Sequence, residues 1–332
     1  MAKKIVLLFS IIVLLAGCEK AFLPKEPEQD AEAVFNQIWN DFNEHYALFE
    51  VKNVDWDAMY NKYHPLIEKD MHPVLLFDVI AAMLNELKDG HVNLVAPFDR
   101  QRYTGWYLNY PPNFNRNLLE RNYWKNAYRI TEGGAFYYMK FDSVGYIYIP
   151  SFSAGGFGYI DGVLSAMDDL KGVIIDVRNN GGGDPKNAET VASRFASQKT
   201  LYAYWKWKNG PEKNDFTEPQ PFYLNPEGHY YPKKVVVLTN RSSYSATNDF
   251  VMMMKVLDNV TIIGDSTGGG EGSPFFRELQ NGWYYRFSRT QTLDVQMNHV
   301  ESGIAPDIKI DMDSTDEMNG IDTILEYALS TF

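Results

Sequence analysis

Serine residues are concentrated where a predicted strand turns into a predicted helix. The strand covers residues 235–239, and Ser242, Ser243 and Ser245 follow it before the helix begins at Ala246. A hydroxyl at this position is exposed and lies at the positive end of the helix dipole, which helps to stabilise a developing oxyanion. Serine is also a preferred N-cap residue. The segment therefore predicts a nucleophile or a helix cap, and with three serines at least one is expected to be a cap.

A glycine-rich turn follows another apolar strand, which is predicted at residues 172–177. Gly181, Gly182 and Gly183 allow backbone N–H groups to point together, an arrangement that suits an anion or an oxyanion. The spacing matches neither a phosphate-binding Walker loop nor a dinucleotide fingerprint. A tight turn that needs positive φ angles is the other interpretation of these glycines.

Among the six histidines, His91 is in the most suggestive position. It follows Asp89 and Gly90 directly after a predicted helix. A fixed turn can aim the imidazole, which titrates near neutral pH and can therefore act as a base. A lone histidine is often structural, so His91 by itself does not identify a reaction.

The elements that would position these residues fall into two groups. Residues 31–90 predict three helices, because apolar residues recur at steps of three and four. Asp55 is expected to cap the second helix, and the third is expected to stop at Gly90, which suits the left-handed position after a helix. Residues 92–143 predict loops and short strands. From residue 144 onward strands alternate with helices, which predicts an α/β fold.

The composition excludes several classes of function. The formal net charge is -12, with 43 acidic against 31 basic residues, which argues against a nucleic-acid partner. A single cysteine excludes an intrachain disulfide framework and a cysteine zinc cluster.

The start of the chain resembles a bacterial lipoprotein signal peptide. A basic start precedes an apolar run at residues 5–16, which is too short at ~1.5 Å per residue to span a bilayer. The run ends in Leu-Ala-Gly-Cys at Cys18. The resemblance implies that residues 1–17 are removed and that Cys18 is acylated. Residues 18–30 are predicted to form a tether, because the stretch from Glu19 to Asp30 is polar and contains two prolines. We expect a lipid anchor in the cell envelope, and Glu19 favours the outer membrane; a cleaved secretory signal is the alternative.

Three segments together resemble one family. Residues 178–183 (Arg-Asn-Asn-Gly-Gly-Gly), 240–246 (Asn-Arg-Ser-Ser-Tyr-Ser-Ala) and 264–268 (Gly-Asp-Ser-Thr-Gly) are similar, in order and spacing, to the C-terminal processing (tail-specific) serine peptidases and the tricorn core. The resemblance implies a serine endopeptidase without metal or cofactor that acts on a peptide or protein substrate. It also implies a ClpP/crotonase-like ββα superhelix core at residues 144–332, an N-terminal helical subdomain at 31–91, and a linking segment at 92–143 in which no PDZ domain is recognised.

The resemblance assigns roles to individual residues. Ser245 would be the nucleophile, His91 the general base, and Glu301 the group that orients the base. The oxyanion hole would consist of backbone N–H groups. These groups belong to Gly181, Gly182 and Ala246.

The sequence departs from the family pattern at two positions. Asn248 stands where the family has a glutamate, and Gly270 stands where the bacterial branch has its catalytic lysine. No lysine occurs between Lys255 and Lys309, so the Ser–Lys dyad is absent. A tricorn-like Ser/His/Glu mechanism fits the sequence better.

Two other functions stay open at this point. A non-catalytic ligand- or peptide-binding lipoprotein on the same fold would bind without turnover. A lipoprotein for glycan or nutrient uptake would use aromatic platforms such as Trp205 or Trp207. A further segment has two interpretations, as a holder of the substrate tail or as a solvated loop. It contains Arg100, Arg102, Tyr103 and Trp106.

Overall fold

The computed structural model describes residues 30–332. The predicted signal peptide, Cys18 and the tether up to residue 29 lie outside the described residues. The helices are α1 Ala31–His45, α2 Phe49–Lys52, α3 Trp56–Tyr63, α4 Pro73–Asn85, α5 Gly105–Leu108, α6 Arg116–Leu118, α7 Ile160–Ser165, α8 Pro185–Ala192, α9 Ala246–Lys255, α10 Ser314–Met318 and α11 Thr323–Ser330, with 3-10 turns at His64–Leu66 and Phe157–Tyr159 and a π-helical turn at Leu119–Trp124. The strands are β1 Asn93–Ala96, β2 Asp99–Arg102, β3 Arg129–Ile130, β4 Tyr137–Phe141, β5 Val144–Tyr148, β6 Gly172–Asp176, β7 Thr200–Trp207, β8 Gln220–Leu224, β9 Lys234–Thr239, β10 Val260–Gly264, β11 Pro274–Glu278, β12 Tyr284–Ser288, β13 Thr290–Leu293 and β14 Ile308–Lys309.

A seven-stranded sheet in the order β14-β10-β9-β6-β5-β4-β3 forms the centre of the molecule. From β14 to β5 neighbouring strands pair in parallel, and β4 and β3 are antiparallel additions at one edge. Apolar side chains are buried on both faces, because helices α7, α8 and α9 cover one face and α11 covers the other. Continuous apolar runs such as Val-Val-Val-Leu in β9 suit a strand that is buried on both faces. The predicted α/β fold is confirmed.

The N-terminal helices pack around their own apolar core. Phe35, Ile38 and Phe42 of α1 are fully buried, as the helical spacing predicts. The side chain of Asp55 accepts a hydrogen bond from the backbone N–H of Ala58, so the predicted cap of the second principal helix is confirmed.

The predicted end of the third principal helix is wrong. Helix α4 stops at Asn85, and the left-handed residue after it is Lys88, with φ of 48°. Gly90 is required for a different reason. A Cβ atom there would lie 2.6 Å from Trp106 Nε1 and 2.7 Å from the Tyr244 hydroxyl. Gly90 therefore lets two aromatic side chains approach the backbone beside His91.

A four-stranded antiparallel sheet, in the order β11-β12-β1-β2, connects the helical unit to the rest of the chain. Strand β1 directly follows the helical unit and pairs with β12, which comes almost two hundred residues later. Buried residues of β12, among them Tyr285 and Phe287, belong to the same apolar core as the N-terminal helices. Residues 92–143 contribute to both sheets, because β1 and β2 belong to the four-stranded sheet and β3 and β4 to the central sheet. Both sheets therefore contain strands from the expected linking segment and from the expected core after residue 143.

No helix within residues 30–332 is long and apolar enough to cross a membrane.

Candidate active site

The end of β9 and the start of α9 hold Ser245 in an unusual backbone conformation. Its φ and ψ angles are 59° and -125°, a region that residues with a side chain rarely adopt. Its N–H donates to the carbonyl oxygen of Gly269 at 2.9 Å, and its side chain makes no helix-capping bond. Strained backbone of this kind occurs at functional sites. Ser245 therefore does not act as a side-chain helix cap, which was one of the two interpretations of this segment.

Ser243 is the structural serine of this turn. Its hydroxyl donates to the carbonyl oxygen of Val177 at 2.8 Å and accepts from the N–H of Asn240 at 3.2 Å. These bonds join the turn after β9 to the end of β6. The hydroxyl of Ser243 is therefore engaged, whereas that of Ser245 is directed elsewhere.

The imidazole of His91 meets the Ser245 hydroxyl. His91 Nε2 lies 2.9 Å from Ser245 Oγ, although the two residues are 154 positions apart in the chain. The turn before the histidine is fixed by Asp89, whose carboxylate accepts from the His91 N–H at 2.7 Å and from the Tyr46 hydroxyl at 2.8 Å. The four-stranded sheet and its helices thus carry His91, and the central sheet carries Ser245.

Burial keeps this imidazole neutral. His91 is only 2% exposed, and burial lowers its pKa to about 4, against the opposing effect of the Asp89 charge. A neutral imidazole has one nitrogen that accepts a proton and one that donates. At neutral pH the ring can therefore accept the hydroxyl proton of Ser245, provided that Nδ1 carries the ring hydrogen.

On its other side the imidazole faces Ser288, which the sequence did not single out, and the backbone carbonyl of Glu271, whose hydrogen bond opposes the lowering of the His91 pKa. Ser288 Oγ lies 3.5 Å from His91 Nδ1 and donates to the carbonyl oxygen of Glu271 at 3.1 Å. Because Ser288 donates its hydrogen to Glu271, its oxygen can accept a hydrogen bond from Nδ1–H of His91. The ring hydrogen on Nδ1 leaves Nε2 without one, so that Nε2 can accept the proton of Ser245. Ser288 ends strand β12, and a single serine at a strand end carries no recognisable sequence signal.

Glu301 was expected to orient His91 directly, but it contacts other groups. Its Oε2 accepts from the backbone N–H of Glu271 at 2.8 Å, and its Oε1 pairs with the Lys52 ammonium. Within residues 30–332 no hydrogen bond joins Glu301 to His91. Glu301 instead holds the backbone of Glu271, which in turn accepts from Ser288. The physical reason is that the partly buried ammonium of Lys52 takes the carboxylate oxygen that would otherwise be available.

Glu301 and its neighbours form a buried acidic cluster behind the histidine. Burial, and then the nearby charge of Asp89, raise the pKa of Glu301, while Lys52 opposes this shift. Glu271 is also buried and pairs with His299 Nδ1 at 2.9 Å. Each of the two buried glutamates thus has a cationic or ionisable partner, as buried charges require.

Two of the three expected oxyanion donors are available. In the part of the chain that the structure describes, the N–H groups of Gly181 and Ala246 have no acceptor. The N–H of Gly182 is not available, because it donates to the side-chain oxygen of Asn180 at 3.0 Å. Gly182 matters for another reason. Its φ is +99°, and a Cβ there would lie 2.9 Å from Ser245 Cβ and 3.0 Å from the nitrogen of Ala246.

A buried ion cluster holds the glycine turn. The guanidinium of Arg178 is fully buried and lies 2.6 Å from an oxygen of Asp176 and 2.9 Å from one of Asp322. Just beyond it, the side chains of Asn179 and Asn240 hydrogen-bond at 2.7 Å. The glycine turn and the serine turn are therefore tied together, which explains why both segments carry these polar residues.

The two departures from the family pattern both have structural reasons. Gly270 has φ of +79°, and a Cβ there would overlap the ring of Tyr244, so a lysine side chain could not start from this backbone. Tyr244 occupies that space and stacks on Trp106 with ring centroids 3.9 Å apart. Asn248 is fully buried and accepts from the Thr267 hydroxyl at 2.5 Å, a contact that needs no charge.

The described residues contain no group of three or more histidine, cysteine, aspartate or glutamate side chains arranged to hold a metal ion.

Fold and site together define an α/β protein whose serine–histidine pair lies between two sheets. The chain belongs to Peptidase family S41, whose model matches residues 143–310, about half of the 332 residues. A second model, Tricorn protease C1 domain, matches residues 27–85 in the helical unit. The predicted resemblance to the C-terminal processing and tricorn-core peptidases is confirmed.

Individual relatives agree with this family. The chain is 42% identical to a "putative peptidase" from Parabacteroides merdae of known structure, with a TM-score of 0.86 over 92% of this chain and 97% of that one. Mature CPAF in complex with lactacystin matches in fold, with a TM-score of 0.70 at 11% identity, over 91% and 97% of the two chains. A "Probable CtpA-like serine protease" from Staphylococcus aureus is 28% identical over 188 residues, which is 55% of this chain. The match covers only 36% of that relative.

Proposed function

We propose that this protein is a serine endopeptidase in which Ser245 is the nucleophile and His91 the general base and acid. The observation that carries the proposal is the 2.9 Å contact between His91 Nε2 and Ser245 Oγ, made by a buried neutral imidazole and a serine in strained backbone. A serine hydroxyl becomes an effective nucleophile only when a base accepts its proton. Membership of family S41 supports a peptide or protein as substrate.

The reaction would proceed in two steps. Ser245 Oγ attacks the carbonyl carbon of the scissile peptide bond while its proton passes to His91 Nε2. The oxyanion accepts hydrogen bonds from the N–H groups of Gly181 and Ala246, each worth roughly 2.7–4 kcal/mol in the transition state. His91 then gives the proton to the leaving amine as the C–N bond breaks. A water molecule, deprotonated by His91, attacks the acyl-enzyme, and His91 returns this proton to Ser245 Oγ as the ester bond breaks and the acid is released.

The third member of the site would be Ser288, with Glu301 as a positioning residue. Ser288 Oγ, 3.5 Å from His91 Nδ1, would accept from Nδ1–H together with the carbonyl oxygen of Glu271, to which Ser288 itself donates. Glu301 acts on the same carbonyl only through the backbone of residue 271. The proposed mechanism is therefore Ser/His with a hydroxyl relay, a revision of the Ser/His/Glu arrangement expected from the sequence.

Both parts of the chain would be needed for this reaction. The helical subdomain at residues 31–91 supplies His91, and the peptidase core at residues 144–332 supplies Ser245. We further propose that acylation of Cys18 attaches the enzyme to the cell envelope, at the outer membrane. Metabolic labelling with an alkyne fatty acid, lost in Cys18→Ser, tests this attachment.

Peptide turnover tests the proposed activity. The full chain, solubilised in detergent, is incubated with a pool of internally quenched peptides, alongside Ser245→Ala and the control Ser197→Ala, whose serine is exposed and outside the site. We expect cleavage by the wild type and Ser197→Ala and none by Ser245→Ala. Equal cleavage by Ser245→Ala would refute the assignment. Peptide binding without cleavage by any form would favour the non-catalytic binding protein.

The glycan-binding alternative has less support. Trp205 stacks on Phe222 with ring centroids 5.0 Å apart and packs against the main apolar core. A carbohydrate platform needs a free ring face, whereas this ring is engaged by protein.

A further inference from the structure

An open cavity of about 420 Å³ lies beside the candidate catalytic residues. One wall is formed by residues of the site itself, namely Gly90, Gly181 and Tyr244. A substrate group bound in this cavity would therefore lie close to the bond that Ser245 attacks. The lining of the cavity also includes three arginines, which are Arg100, Arg102 and Arg286.

The register of the four-stranded sheet explains why the arginines converge. Asn93 in β1 pairs with Arg102 of β2 on one side and with Arg286 of β12 on the other. Val95, two residues along β1, pairs with Arg100. Directly paired residues and residues two apart project from the same face of a sheet. All three arginines therefore share one face, while the opposite face packs against the helical core.

The arginines of the cavity have no directly paired carboxylate in the described chain. Within residues 30–332 none of the three is in an ion pair, although the chain as a whole carries a net charge of -12. Arg286 is half-buried and donates to the side-chain oxygen of Asn93 at 2.7 Å. Burial lowers the pKa of Arg286; Tyr244 and the charge of Asp89 oppose this shift, and the charge of Arg100 adds to it. Converging cations without directly paired carboxylates suit an anionic ligand.

We propose that this arginine cavity, defined by Arg100, Arg102 and Arg286, binds a carboxylate of the peptide substrate. The inference rests on the proposed peptidase function and specifies its substrate class. Planar guanidinium groups bind carboxylates through paired hydrogen bonds, which favour this ligand over a neutral amide. Because the proposed enzyme is an endopeptidase, the carboxylate belongs to an aspartate or glutamate side chain near the scissile bond. Trp106 and Tyr107 supply apolar walls for the adjoining part of the peptide.

Matched peptides test this specificity. Internally quenched peptides that differ only in Asp/Asn or Glu/Gln, each with a free or an amidated C-terminus, are compared by kcat/KM with the full chain. A charge-assisted hydrogen bond contributes enough to predict a preference of about tenfold or more for the carboxylate. The preference should fall to about twofold or less in the double variant Arg100→Gln/Arg102→Gln. It should persist in Arg121→Gln, an exposed arginine outside the cavity.

The form of the preference identifies the source of the carboxylate. A preference that survives amidation assigns an acidic side chain and supports the inference, whereas one that amidation abolishes assigns the substrate C-terminus and overturns it. Equal cleavage of all peptides, or a preference unchanged in the double variant, overturns the inference while leaving the peptidase proposal intact.

A binding measurement separates this inference from the proposed function. The same peptides, labelled with a fluorophore in place of the quenched pair, are titrated with the Ser245→Ala chain and followed by fluorescence anisotropy. We expect binding about tenfold tighter for the carboxylate forms, lost in the double arginine variant. If this selectivity is observed and the wild type cleaves nothing, the arginine cavity stands and the peptidase proposal fails. If binding does not discriminate, the arginine cavity proposal is wrong whatever the turnover.

Discussion

The substitution Glu301→Gln distinguishes a direct role of this residue from the proposed positioning role. The glutamine keeps an oxygen that can accept from the Glu271 N–H, so the backbone that receives the Ser288 hydroxyl stays in place. The change in catalysis should then be no greater than that of weakening one neutral hydrogen bond, about 0.5–1.5 kcal/mol. This corresponds to a turnover rate that is roughly 2- to 13-fold lower.

The effect on stability should be larger than the effect on catalysis. The Lys52 ammonium loses its carboxylate partner, and its side chain is only 14% exposed. Burial raises the pKa of Glu301 to about 8, so the comparison is made at about pH 9, where the pair is charged. Breaking a buried ion pair by removing one partner then costs about 3–5 kcal/mol. For a chain of this size the melting temperature should fall by roughly 5–10 °C. Replacing the lysine as well, in Lys52→Met/Glu301→Gln, should recover most of this loss because no buried charge is left unpaired.

The assay combines thermal unfolding with the turnover rate on one quenched peptide, measured at a temperature where every variant is fully folded. Lys52→Met alone is the matched control for the loss of the pair. If folded Glu301→Gln turned over the peptide roughly a thousand- to ten-thousandfold more slowly than the wild type, the reasoning would be refuted. In the well-known Ser-His-Asp case a comparable amide substitution costs about 10⁴-fold, because the carboxylate there contacts the imidazole directly.

Three further predictions concern the base, its neighbour and the glycine turn. Because the pKa of His91 is lowered to about 4, the acid limb of kcat/KM should have its midpoint near pH 4, and a midpoint near 6.5 would contradict the burial argument. The same lowered pKa predicts that the free energy of unfolding has its full value above pH 6.5, the pKa of the unfolded histidine, and decreases as the pH falls towards 4. Denaturant unfolding of His91→Gln should lack this dependence on pH. Ser288→Ala should slow turnover about tenfold with KM unchanged, since a neutral hydrogen bond is lost. Unaltered turnover would contradict the proposed role of the Ser288 hydroxyl. Gly182→Ala should abolish cleavage because the added Cβ would crowd Ser245 at 2.9 Å and occupy φ of +99°, and full activity would show that the backbone is not confined there.

Much of the central sheet could be predicted from the sequence. Runs such as Val-Ile-Ile in β6 and Val-Val-Val-Leu in β9 fit buried parallel strands, and the glycine and serine turns at their ends fit a site at one edge of the sheet. The pairing of β1 with β12 could not be predicted in the same way. Neither short strand reveals its partner, and almost two hundred residues separate them.

The candidate site was predictable where family motifs and residue chemistry coincided. The sequence indicated Ser245 and His91, and the structure places Ser245 Oγ 2.9 Å from His91 Nε2. It did not indicate Ser288, because a lone hydroxyl at the end of a strand has no signature. It also gave no sign that Asn180 occupies the N–H of Gly182, since a side chain's choice of backbone partner depends on the folded turn.

The glycine at position 90 shows a limit of local rules. A glycine after a helix suits a left-handed cap, but here Lys88 adopts that conformation. Gly90 is required by the approach of Trp106 and Tyr244, which come from distant parts of the chain. Local propensity identified the residue type correctly and assigned it the wrong physical cause.

The most direct test of the central claim is covalent labelling of the serine. The full chain is treated with a fluorophosphonate probe, and the modified peptide is located by mass spectrometry in the wild type and in His91→Ala. We expect an adduct on Ser245 that is lost, or slowed by at least about a hundredfold, in His91→Ala, because general-base catalysis contributes about 10²–10⁴-fold. An adduct on another serine, or equal labelling of Ser245 without the histidine, would contradict the proposed serine–histidine mechanism.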